Sequence, residues 1–157
     1  MDEAVVVELA KKLKARGWWL ATAESCTGGL IGHTLTSLAG SSEWYVGGVV
    51  AYANRVKQEL LGVPATDLEQ HGAVSREVVE AMAVGAARVF GVEAAIAVSG
   101  VAGPGGGTPE KPVGTVWIGV KAGTVLRAER FRFAGGRAEV KAQSARAALA
   151  ALARLLE

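Results

Sequence analysis

The hydroxyl of Ser25 is the group in this chain whose surroundings best suit covalent chemistry. It stands in Ala23-Glu24-Ser25-Cys26-Thr27-Gly28-Gly29, where an apolar, strand-like segment runs into small polar residues that open a helix. A serine at such a boundary commonly caps free backbone amides, and capping is the plain structural alternative here. The two glycines argue for more. Without Cβ atoms they let a ligand approach the backbone, and amides at a helix start can hold a phosphate or a developing oxyanion. Cys26, the only cysteine, is the competing nucleophile, because a helix N-terminus lowers a thiol pKa.

A serine attacks a carbonyl only if a base removes its proton, and histidine is the usual candidate. The chain has two. His33 follows Ser25 on the same predicted helix, about 12 Å further along its axis at ~1.5 Å per residue, and is out of reach. His71, in Glu69-Gln70-His71-Gly72, is expected in a loop before a helix. A Ser-His-Asp triad is therefore poorly supported. Lysine is the other recurrent partner, provided burial or a neighbouring cation leaves some of it as neutral amine. Tyr52-Ala53-Asn54-Arg55-Val56-Lys57 offers one at a strand end, where open α/β sheets place functional groups. An ordinary solvated helix start remains the alternative.

A third segment, 99–115, reads SGVAGPGGGTPEKPVGT and follows an apolar run. Its glycines could present amides to a phosphate, although it matches neither the P-loop nor the dinucleotide fingerprint. A flexible surface loop is the alternative. Arg137 would begin the last helix, where its forked guanidinium suits a phosphate or carboxylate. The lone cysteine and two histidines show no zinc spacing, and no acidic cluster resembles a calcium or magnesium cage, so neither a metal nor a cofactor is expected.

These groups need elements to carry them. Val5, Val6, Leu9 and Leu13 predict a first helix stopped at Gly17, followed by a buried strand over 17–23 and the helix after Ser25. A second strand over 46–53, a short helix over 54–61 and a longer one from Ser75 to Gly91 come next. The run 93–99 reads as a central strand covered on both faces. Segments 114–120 and 125–133 read as an antiparallel hairpin, and Ala145, Leu149, Leu152 and Leu156 form the seam of a C-terminal helix. The expected fold is a three-layer α/β/α single domain over 1–157, with a mixed, mostly parallel sheet and one antiparallel hairpin.

With 157 residues, half of them apolar, the chain can bury a substantial core. Seventeen basic against 15 acidic residues, spread evenly, give no basic stripe for nucleic acid. No apolar run reaches the ~20 residues of a membrane span, and the start lacks a signal-peptide pattern. A reducing cytoplasm fits the single cysteine. Trp44, Tyr45 and the Gly47-Gly48 strand could form an edge or interface, and a homodimer is the expected assembly.

Six ordered motifs together resemble the CinA C-terminal domain family, the nicotinamide-nucleotide amidases. They are Ala23-Glu24-Ser25-Cys26-Thr27-Gly28-Gly29, Tyr52-Ala53-Asn54 with Lys57, Gln70-His71-Gly72-Ala73-Val74-Ser75, Ser99-Gly100-Val101-Ala102-Gly103-Pro104, Lys111-Pro112-Val113-Gly114-Thr115-Val116 and Gly136-Arg137. The resemblance covers about residues 5–155. It implies hydrolysis of the carboxamide of nicotinamide mononucleotide to nicotinate mononucleotide and ammonia. It implies Ser25 as nucleophile, Lys57 as general base and Tyr52 as a supporting hydrogen-bond partner. Amides near Thr27, Gly28 and Gly29 become candidates for the oxyanion hole. Ser99, Gly100, Gly103, Gly105 and Gly106, with Thr115 and Arg137, become candidates for the ribose phosphate. Ser99 stands where the family often has Thr, and Ala53 where it commonly has Ser. A non-catalytic nucleotide- or phosphate-binding module is the alternative.

Overall fold

The computed structural model describes residues 3–157. Helix α1 (Glu3–Arg16) buries Val6, Leu9 and Leu13, and stops at Gly17, whose φ of 66° is left-handed. There the Trp18 amide donates to the Leu13 carbonyl at 3.0 Å and the Gly17 amide to Lys14 at 3.1 Å, the bonding of a Schellman motif. This termination consumes the residues expected to begin the first strand. Strand β1 is accordingly Leu20–Glu24, fully buried, and Trp18 and Trp19 precede it.

Helix α2 (Leu30–Thr36) leads to a 3-10 turn at Ser41–Glu43 and strand β2 (Tyr45–Val50). Helix α3 (Asn54–Leu61) has the expected bounds and closes at Gly62. Helix α4 (Ala65–His71) lies where a loop was expected; it has no buried residue, so no apolar stripe announces it. Helix α5 (Arg76–Phe90) is capped by the Ser75 hydroxyl, which accepts from the Val78 amide, and by Gly91 in the left-handed region. Strand β3 (Ala94–Gly100), strands β4 (Thr115–Ala122) and β5 (Val125–Arg132), and helix α6 (Arg137–Leu155) complete the chain.

The five strands form one sheet in the order β2-β1-β3-β4-β5. Strand β1 pairs in parallel with both β2 and β3; β4 pairs antiparallel with β3 and with β5. Four strands therefore run one way and β4 alone runs back, which gives the expected mixed, mostly parallel sheet and its hairpin. Helices α1, α2 and α6 pack together on one face, while α3, α4 and α5 pack on the other. Two apolar clusters fill the layers, one around Leu9, Ile96 and Leu149, the other around Leu61, Val79 and Met82. Strand β3 is buried on both faces except at Gly100, as its continuous apolar run requires. Among the described residues no helix is long and apolar enough to cross a membrane.

This topology gathers the C-terminal ends of β1, β2 and β3 side by side. Chain leaving β1 goes to α2 on one face, and chain leaving β2 goes to α3 on the other, so a crevice opens where the connections diverge.

Candidate active site

Ser25 directly follows β1, and its amide donates to the Val98 carbonyl of β3 at 2.9 Å. The residue is therefore fixed between the two central strands. It does not begin a helix: a turn over 26–29 intervenes, and α2 starts at Leu30 with Gly29, at φ 105°, in the N-cap position. The cap itself comes from Glu24. Its carboxylate accepts from the Ile31 and Gly32 amides, each at 2.9 Å, and from the Thr27 hydroxyl at 2.7 Å. Glu24 is 2% exposed, and its three donors satisfy a charge that would otherwise be costly to bury. Capping, the alternative role for Ser25, thus belongs to its neighbour.

Lys57 comes from the other side. It lies on α3, where the chain has crossed to the opposite face, and it is 1% exposed. Its Nζ donates to Ser25 Oγ and to the Tyr52 carbonyl, both at 3.0 Å. None of the ion pairs among the described residues includes Lys57. Burial without an acidic partner pulls its pKa below the ordinary lysine value, outweighing the opposing influence of Cys26. Some neutral amine is then available to accept a proton from the hydroxyl it touches.

Cys26 behaves in the opposite sense. Burial pushes its thiol up to about 11, outweighing the opposing influence of its own amide and of Lys57 and Lys141. The expected lowering at a helix start does not occur, because Cys26 sits in a buried turn before the helix. At neutral pH it is a thiol.

A cleft of about 190 Å³ opens beside Ser25 and Lys57. Tyr52, Ser99, Gly100 and Arg137 line it, together with Asn54, Ala73, Val74 and Ala102. Tyr52 contributes by two routes: its carbonyl receives Lys57, while its exposed phenol accepts from Arg137 Nη2 at 3.3 Å. Arg137 also donates through Nη1 to the Gly103 carbonyl at 2.6 Å, so the guanidinium bridges the β2–α3 segment and the glycine loop.

Several expected residues are placed elsewhere. Thr115 is fully buried and gives its hydroxyl to the Pro112 carbonyl at 2.6 Å, so it braces the loop and does not face the cleft. Gly105 and Gly106 are exposed on the loop and do not line the cleft. The Gly28 amide is committed to the Ser25 carbonyl at 3.1 Å, whereas no backbone bond engages the Thr27 or Gly29 amide. His71 ends α4 rather than lying in a loop, and its Nδ1 stands 3.8 Å from Glu77. His33 is exposed on α2, and neither histidine lines the cleft. Sequence reasoning passed over Glu24, although a carboxylate ending an otherwise apolar strand signals a buried acceptor. It also gave no role to the small walls Ala73, Val74 and Ala102.

The family model of the CinA C-terminal domain matches residues 2–156. The chain belongs to the CinA C-terminal domain family. Within it, the nicotinamide-nucleotide amidohydrolase PncC of Enterobacter agglomerans is 53% identical over 141 residues, which cover 88% of this chain and 85% of that protein. A CinA-like protein of Gemmatimonas aurantiaca is 47% identical over 153 residues, which cover 98% of this chain but 36% of that longer protein. The fold is shared with a solved CinA superfamily protein from Klebsiella pneumoniae 700603, at TM-score 0.95 and 40% identity, covering 99% of this chain and 98% of that one. The competence/damage inducible protein CihA of Agrobacterium tumefaciens superposes equally well, at TM-score 0.95 and 40% identity over 99% and 95% of the two chains.

Proposed function

We propose that this chain hydrolyses the carboxamide of nicotinamide mononucleotide, giving nicotinate mononucleotide and ammonia through an acyl-enzyme on Ser25. The observation that carries the reading is the buried Lys57 amine 3.0 Å from the Ser25 hydroxyl, at the edge of a cleft. Similarity to the Enterobacter agglomerans nicotinamide-nucleotide amidohydrolase supports the substrate.

In this mechanism neutral Lys57 takes the Ser25 proton as Oγ attacks the amide carbon. The carbonyl oxygen becomes an oxyanion, to be held by backbone amides of the turn that follows Ser25; loss of one such donor costs on the order of 3 kcal/mol. Collapse breaks the C–N bond, the proton held on Lys57 passes to the leaving nitrogen, and ammonia departs. Water then gives a proton to Lys57 and attacks the ester, and the same proton returns to Ser25 Oγ as the acid leaves. Tyr52 holds Lys57 through its carbonyl. Ser99 and Arg137 hold the ribose phosphate.

The protein acts in the cytoplasm as a homodimer and binds no nucleic acid. The assembly rests on β2, an edge strand with exposed Val46 and Val50 and no charged side chain; Trp44, expected at this interface, is instead buried in the core.

Incubation of purified protein with the mononucleotide, with chromatography of the products, tests the reading. Equal amounts of ammonia and nicotinate mononucleotide are expected. Tight binding of an unchanged mononucleotide would make the cleft a binding site without turnover.

A further inference from the structure

We propose that Lys141 is a second cation of the phosphate subsite, sharing a monoester dianion with Arg137 at the rim of the cleft. This deepens the mononucleotide reading and rests on it for the placement of Arg137 against phosphate. Arg137 and Lys141 are four residues apart on α6 and so share one face of that helix. The first lines the cleft. The second reaches back over the turn that follows Ser25: its Nζ lies 3.6 Å from the point where a side chain on Gly28 would begin. Its charge is felt at the Cys26 thiol, which itself lines the cleft.

Among the described residues neither cation has an acidic partner. The neighbouring carboxylate of Glu24 is occupied by Thr27, Ile31 and Gly32. Glu139 packs its stem against Gly135 and turns its carboxylate to Gly136, at the start of α6, without pairing with Arg137. Arg137 in the cleft lining and Lys141 over the adjoining turn, unpaired with acids among the described residues, create a local field that attracts anions, and charge-assisted bonds to phosphate are among the stronger contacts a protein makes. Two positive charges match a terminal monoester better than the singly charged linkages of a dinucleotide. The subsite therefore selects mononucleotides, and Lys141 carries part of that selection.

Calorimetric titration with ribose 5-phosphate, using ribose as the uncharged control, tests this without requiring turnover. Wild-type protein is expected to bind ribose 5-phosphate and not ribose. Lys141→Met should weaken that binding by about tenfold or more, with Lys141→Arg within about threefold of wild type and melting temperatures unchanged. Unchanged binding in Lys141→Met, or no preference of wild type for the phosphorylated sugar, would overturn the proposal. Loss of binding in both variants together with a lowered melting temperature would also overturn it, in favour of a structural role. Ammonia release from nicotinamide mononucleotide, measured on the same proteins, separates the two readings: Lys141→Met should raise KM and leave kcat nearly unchanged. Phosphate binding that depends on Lys141 in a protein releasing no ammonia would refute the amidase and leave the subsite standing.

Discussion

Lys57 Nζ and Ser25 Oγ are 3.0 Å apart although 32 residues separate them in the chain. They come from opposite sides of the sheet connections. Ser25 ends the central strand β1, and Lys57 lies on the helix reached after the chain has paired β2 beside it. The parallel pairing of β1 with β2 therefore decides that an alcohol and a buried amine meet.

The first prediction concerns pH. Only the neutral amine can accept the serine proton, so the rate should rise as Lys57 loses its own proton. Because burial lowers that pKa, the rising limb should fall below the ordinary lysine value of 10.5, as a profile of kcat/KM against pH will show. Stability follows the same sign. The folded pKa is depressed, so burying the ammonium costs stability at neutral pH, and that cost disappears as pH rises through the folded pKa towards 10.5. Lys57→Arg, which cannot deprotonate, should be inert across the whole range.

Cys26→Ala should keep most of the activity. With its pKa near 11, roughly one thiol in a thousand is ionised at pH 8, so alkylation by iodoacetamide should be slow in the folded protein. Rapid alkylation coupled to inactivation would make the thiol the nucleophile instead.

Glu24→Ala should lower stability by about 3 kcal/mol, because it strands the Ile31 and Gly32 amides and the Thr27 hydroxyl. For a chain of this size that is roughly 6–12 °C in melting temperature by calorimetry. Glu24→Gln keeps one acceptor and should lose less.

Much of this architecture was legible because local signals agreed with the fold. The continuous apolar run before Ser99 marks the central strand, and Ser75 and Gly91 mark both ends of α5. What escaped was non-local. Gly17 closes α1 through bonds that also absorb Trp18, so β1 begins later than its apolar pattern suggests. Helix α4 buries nothing, and a helix without an apolar stripe has no periodic signature. Within the site, Ser25, Lys57, Tyr52, Ser99 and Arg137 do meet at one cleft. The role of Thr115 depends on a loop carbonyl at Pro112, which spacing along a chain cannot reveal.

Steady-state ammonia release from nicotinamide mononucleotide by wild type, Ser25→Ala and Lys57→Met, with melting temperatures recorded in parallel, tests the pairing of alcohol and amine most directly. Both variants should lose at least about 10³-fold in kcat, and combining them should cost little more than either alone, as expected for groups that act as a unit. Stably folded Lys57→Met turning over at near wild-type rate would contradict the account.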